Sequence, residues 1–277
     1  DDAPDKREQL VDRLLKTDAH ANFWALKTAD LMRVDPRYLP GGRAELFFSW
    51  IRDGYRKNLG FDRVARSILT STGDAKRVAP SNYFCTTKST QELTEMTSQV
   101  FMGSRIACAK CHNHPFENWT QNDYYSIGAV FARVKRDDTM VGLSKEGEIK
   151  HPTTGEVMKP WAGGTDQSAD RRIAFADWLV AKENPYFARV EVNRIWSHLF
   201  GRGIVDPVDD FRSSNPPSNV ELLDALADDF VKHGFDRRHI IRMLCRSQTY
   251  QRSTEPQPRN ESEDRLGSHM RARLLTA

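Results

Sequence analysis

The chain has 277 residues, enough for one large domain or two ordinary ones with hydrophobic cores of their own. Hydrophobic residues make up 39% and charged residues 29%, which excludes a disordered or fibrous protein. With 41 Lys and Arg against 38 Asp and Glu, interleaved in sign, the net charge of +3 gives no basic stripe for nucleic acid.

No run approaches the roughly 18 apolar residues of a membrane span. The N-terminus, Asp1-Asp2-Ala3-Pro4-Asp5, lacks a basic region followed by an apolar stretch, so it does not read as a signal peptide. A mature, processed chain would begin in the same way.

The pattern is mostly helical. Leu10, Val11, Leu14 and Leu15 share one face of a helix over 5–16. A second helix over 20–33 carries Phe23, Trp24, Leu26 and Leu31, and the Pro- and Gly-containing stretch 34–42 ends it. Helices follow at 43–57 and 61–70. A longer one over 89–111 leads into two cysteines and stops at Asn113-His114-Pro115. Thr120 is a natural N-cap for the next, 121–134. Glu148-Ile149-Lys150 and Glu156-Val157-Met158, flanking Pro152-Thr153-Thr154-Gly155, read as a small β-hairpin, with Gly163-Gly164 as a linker beyond it. Helices are then expected at 168–182, 185–200, 219–233 and 236–248, with a non-helical loop from Gly201 to Ser218. Arg271 to Ala277 reads as a helix opening with no stop signal, so the native chain is expected to continue.

The expected fold is therefore mainly α, in two helical halves with one small hairpin. Residues 1–135 form the first half, 136–167 the hairpin and linker, and 168–277 the second half.

Of the four cysteines, Cys85 and Cys245 are isolated and read as buried small hydrophobes rather than a disulfide. The other two form Cys108-Ala109-Lys110-Cys111-His112, the C-x-x-C-H sequence of covalent haem attachment. Two thiols three apart on a helical turn reach the two vinyl groups of one haem, and the adjacent imidazole is held where it can bind iron. A zinc site using Cys108, Cys111 and His112 or His114 is the rival. It lacks a second C-x-x-C or H-x-x-x-H pair to close a tetrahedron. A thioredoxin-like site would want a βαβ setting instead of this helical one.

His114 either caps the cysteine-bearing helix or hydrogen-bonds a haem propionate. Trp119, Tyr124 and Tyr125 either line a haem pocket or belong to the core. His20, His151, His233, His239 and His269 read as surface or satisfied core histidines. No Ser-His-Asp order, phosphate loop or H-E-x-x-H pattern is present.

The stretch from Phe101 to Ile106, continuing through Cys108-Ala109-Lys110-Cys111-His112-Asn113-His114-Pro115-Phe116-Glu117-Asn118-Trp119 to Tyr125, resembles the centre of the large planctomycete cytochrome-c-like proteins. These are built from two paired domains of unknown function. Asn184 to Arg189, Asn193 to Gly203 and Asp209 to Arg212 resemble the second of the pair. The resemblance implies secretion to the periplasm or cell surface and a C-terminal extension, and it implies no particular reaction.

The expectation is thus a periplasmic or extracellular c-type cytochrome with one covalent haem. The two halves pack around the haem, with Cys108 and Cys111 as anchors and His112 as proximal ligand. One-electron exchange with a redox partner protein or a small-molecule donor or acceptor is the leading function. A peroxidase-like haem oxidoreductase with an open sixth iron position is the alternative, and a surface-binding module stapled by a metal is the third. For the sixth ligand His198 is a candidate, set against a plain packing role at a helix end before Gly201. Met140, Met158 and His151 are further candidates, while Met102 is placed poorly to reach the opposite haem face.

Overall fold

The computed structural model describes residues 5–113, 118–163, 170–261 and 268–270. Among them are eleven α-helices and one three-stranded antiparallel sheet, so the fold is mainly α. The first four helices, α1 (Lys6–Leu14), α2 (Asp18–Leu31), α3 (Arg43–Arg56) and α4 (Phe61–Leu69), lie close to their expected ranges. Thr17 caps α2 by accepting the His20 N–H.

The expected 89–111 helix is instead two elements. After the short α5 (Asn82–Cys85), α6 spans Thr90–Met102 and ends at Gly103, in the left-handed region at φ 60°. The cysteines lie beyond it, on a 3₁₀ turn over Ala107–Lys110. Helix α7 (Gln121–Phe131) begins with a capping box between Thr120 and Asp123.

The sheet also differs from expectation. Its strands are β1 (Gly73–Asp74), β2 (Val134–Asp137) and β3 (Met140–Leu143), in the order β1-β3-β2. The expected hairpin around Pro152–Gly155 narrows to a single bridge, Lys150 to Val157. Its turn is closed by His151, whose buried Nδ1 accepts the N–H groups of Thr153 and Thr154, both at 3.2 Å.

The second half holds α8 (Arg171–Leu179), α9 (Phe187–Phe200), α10 (Val220–Lys232) and α11 (Arg237–Arg246), capped in turn by Asp170 for α8, Asn219 for α10 and Asp236 for α11. Helix α9 packs on α6, α10 and α11, while α4 meets α8 and α1 meets α11. One core cluster runs from Leu15 to Leu244. At the junction of the halves, Phe61 stacks on Phe187 with ring centroids 4.8 Å apart and planes 5° from parallel. Phe101 and Phe235 flank the pair. This junction is filled by buried side chains.

The expected helix opening at Arg271–Ala277 and Gly164 of the expected linker lie outside the described residues.

Candidate functional site

Local chain geometry presents the C-x-x-C-H turn outward. Gly103 ends α6 where an added Cβ would stand 2.7 Å from Val190 and 2.8 Å from Phe211, so the chain turns sharply against α9. Ile106 and Ala109 are buried and seat the turn in the core. Cys108, Lys110, Cys111 and His112 between and after them are exposed, and all four cysteines of the chain are free.

Helix α7 holds the turn in place. The Lys110 carbonyl accepts the Gln121 side-chain amide at 3.0 Å and the Tyr125 hydroxyl at 3.1 Å. The Gln121 N–H donates to Asn113 Oδ1 at 3.0 Å. His112 donates from Nδ1 to the Asn113 carbonyl at 2.8 Å. A carbonyl only accepts, so the proton is on Nδ1 and the lone pair of Nε2 faces away from that bond. Metal-binding histidines are oriented by this kind of outer hydrogen bond.

The donor chemistry therefore fits a haem attached through two thioethers and one imidazole. A single zinc ion would require convergent ligand atoms. Among the described residues, Cys108, Cys111 and His112 do not gather three such atoms within 4.8 Å. His114 lies outside the described residues.

The other expected site residues are dispersed. His198, on the last turn of α9, packs edge-on against Trp24 of α2, with centroids 5.5 Å apart and planes at 85°. It stands eight residues beyond Val190, the α9 contact of Gly103, hence roughly 12 Å further along the helix axis. His151 spends Nδ1 on its own turn, as above. Met102 is buried in the core, and Met140 is exposed on β3. Tyr124 is core: its hydroxyl donates to Glu95 at 2.9 Å, and burial, with Glu95 beside it, pushes its pKa up. Tyr125 anchors the turn, and Trp119 is buried at the rim of a cleft.

That cleft, of about 340 Å³, lies between the halves, with Asn118, Trp119 and Asp123 on its first-half side. Trp119, Trp161 and Tyr186 line it with Arg189, Phe211 and Arg212. The Trp119 ring lies 5.9 Å from Trp161 and 5.8 Å from Tyr186. The Phe211 N–H donates to the Gly103 carbonyl at 2.9 Å, which joins the cleft wall to the start of the turn. Next to it, Asp209 takes bonds from Gln99 and, at 2.5 Å, from Arg105. Burial pushes the Asp209 carboxyl up, but these two hydrogen bonds and the Arg105 charge outweigh it and hold the pKa low. Trp161, Tyr186, Arg189 and Arg212 were not singled out from sequence. Three of them fall inside the second block of family-like residues, the only sequence signal that could have marked them.

Residues 1–136 match PSCyt2, described as a protein of unknown function (DUF1549), and residues 171–277 match PSD1, described as a protein of unknown function (DUF1553). No curated protein and no solved structure matches the chain. These two models are the paired domains of unknown function found in planctomycete proteins, and the chain is similar to them in that order.

Proposed function

We propose that this chain carries one c-type haem on Cys108, Cys111 and His112 and serves in one-electron transfer outside the cytoplasm. The observation that carries the reading is the turn itself. Two free, exposed thiols and an exposed imidazole share it, and the imidazole proton is committed to the Asn113 carbonyl.

Cys108 and Cys111 would hold the haem through two thioethers. Each is made by adding an S–H bond across one vinyl group, sulfur to one carbon and hydrogen to the other, so attachment would need no oxidant. The haem supplies the one-electron couple. His112 offers Nε2 to the iron. Asn113 keeps that ring in one tautomer, and Tyr125 and Gln121 keep the turn from shifting. The electrons come from or go to a partner protein or a small molecule. Covalent haem attachment, a chemistry of the outer side of the cytoplasmic membrane, supports a periplasmic or extracellular residence.

A haem oxidoreductase with an open sixth position is the second reading. It is favoured by His198 packing on Trp24 and by His151 using Nδ1 in its own turn.

The test is expression together with the haem-attachment machinery, followed by an optical spectrum and acid–acetone extraction. The Soret absorbance should stay with the denatured protein and be lost when Cys108→Ala and Cys111→Ala are combined. A colourless protein holding one zinc per chain would overturn the proposal. Full carbon monoxide binding by the reduced protein would move the oxidoreductase ahead of electron transfer.

A further inference from the structure

At the corner between α10 and α11, Asp229, His233 and His239 each bring one potential ligand atom, all within 4.8 Å of one another. Asp229 lies in the last turn of α10 and His233, four residues on, caps its C-terminus, so the two stand on one side of the helix end. His239 comes back from the first turn of α11, because Gly234 and Phe235 both adopt positive φ, 65° and 56°. The two imidazoles are stacked, with centroids 3.8 Å apart and planes 17° from parallel. Both direct a nitrogen at the same carboxylate. His239 Nε2 is 2.6 Å from Asp229 Oδ2, and His233 Nδ1 is 3.2 Å from Oδ1. His233 Nδ1 also lies 2.9 Å from the Asp229 carbonyl oxygen.

A salt bridge alone needs one histidine, whereas here two rings stack face to face and share one anion. Two nitrogen ligands 2.0–2.1 Å from a tetrahedral ion lie roughly 3.3 Å apart. Imidazole lone pairs lie in the ring plane, so the two rings turn out of their stack to converge on one ion beside the carboxylate. Two imidazoles and a carboxylate without thiolate suit zinc, copper, nickel or iron(II) rather than magnesium or calcium. The C-terminal end of α10 adds negative potential at the site. The opposing N-terminus of α11 is offset by Asp236, whose carboxylate accepts the His239 N–H at 2.9 Å. The His233, His239 and Asp229 side chains are 42%, 27% and 30% exposed, so an ion can enter from solvent and keep a water ligand.

We propose that Asp229, His233 and His239 form a second metal site, for a divalent transition-metal ion, that clips α10 to α11. It is independent of the haem reading. The ion takes the nitrogen position that each ring now turns toward the carboxylate, and each neutral ring then carries its proton on the other nitrogen.

Zinc chloride titrated into the full chain, followed through the histidine side-chain nitrogen resonances, separates this site from any zinc held by Cys108 and Cys111. The His233 and His239 signals should shift together and saturate at one ion. Combining His233→Gln with His239→Gln should weaken that binding at least about tenfold and abolish the rise in Tm that zinc gives the parent. Should the double variant not fold, the parent resonances decide alone. Neither ring responding by about 1 mM zinc would overturn the proposal. So would a folded double variant that binds zinc as the parent does.

Discussion

His20 shows how far burial, helped by a nearby positive charge, can displace a side chain from its solution behaviour. It sits beside Trp24, with ring centroids 6.5 Å apart, on the same indole that His198 meets from another side. Burial, with Arg238 nearby, pushes its pKa down from 6.5 to about 4. The folded protein therefore resists protonation at His20 while the unfolded chain accepts it. Stability is full above pH 6.5 and falls as the pH drops toward 4, below which no more is lost at this residue. The ring is partly exposed, so solvent screening leaves a contribution of about 1 kcal/mol. His20→Gln should flatten the urea-unfolding stability between pH 7 and 4.5 relative to the parent. An unchanged difference between those two pH values would show that His20 is not the group responsible. Cys85 and Cys245 follow the same physics: burial pushes both thiols up, which keeps them protonated and poor nucleophiles. The exposed Cys108–Cys111 turn was legible as a candidate because its motif lies within five consecutive residues. The Asn113 carbonyl that fixes the His112 tautomer was not, since backbone direction is invisible in a residue string. Asp229 and His233 were readable as helical neighbours, but His239 joins them only through the backbone turn at Gly234 and Phe235.

Among the helices, α6 and α9 settle where the candidate turn begins. Arg194 of α9 is buried, yet its guanidinium donates to the carbonyls of Val100 and, at 2.8 Å, of Gln99. These are carbonyls of the last turn of α6, which no further helical N–H can reach. A residue of the second half thus completes a helix of the first, three residues short of the Gly103 turn that leads to Cys108. Arg194→Met keeps much of the side-chain volume but leaves both carbonyls without this donor. It should cost about 2–4 kcal/mol in chemical denaturation, as expected for two buried acceptors losing a charged donor. A loss below about 0.5 kcal/mol would mean that water replaces the guanidinium without penalty. The helices were legible because caps and apolar spacing are local: Thr17, Ser89, Asn219 and Asp236 each accept an N–H of the helix they begin. The end of α6 was misplaced although Gly103 carries the usual stop signal, because the apolar pattern on both sides of it is compatible with one long helix. The sheet was misplaced for a different reason. Val134–Asp137 and Met140–Leu143 are short, and β3 is also paired with Gly73–Asp74, a partner far away in sequence that no local pattern reveals.

Over the whole molecule, the two family-matched segments share one core, and the physical consequence concerns cooperativity. Helix α1, at the start of the chain, is tied to α11 near its end: Arg242 and Arg246 both bind Asp12, at 2.8 and 2.9 Å. These contacts are partly exposed and each adds little. The apolar junction is the stronger link. Phe187, at the start of α9, is 1% exposed and stacks on Phe61 of α4, with Phe101 of α6 and Phe235 beside it. Truncating it removes a buried ring that both halves enclose, and Phe→Ala changes in such positions cost about 3–5 kcal/mol. If the halves fold as one unit, Phe187→Ala lowers the protection of amides in α4 and α6 as much as it lowers that in α9 and α11. If they fold separately, the loss is confined to the second half. Native-state hydrogen exchange on the parent and the variant distinguishes these outcomes, and equal loss on both sides is the expected result. The same continuity bears on the proposed haem. The turn carrying Cys108 and Cys111 is seated by Ile106 and Ala109 in this shared core, and its approach passes Gly103, which Val190 and Phe211 of the second half press against. Phe187→Ala should therefore also reduce the fraction of chain that acquires haem during expression. Haem incorporation at the parental level, together with protection lost only in α9 and α11, would show that the first half presents the turn unaided.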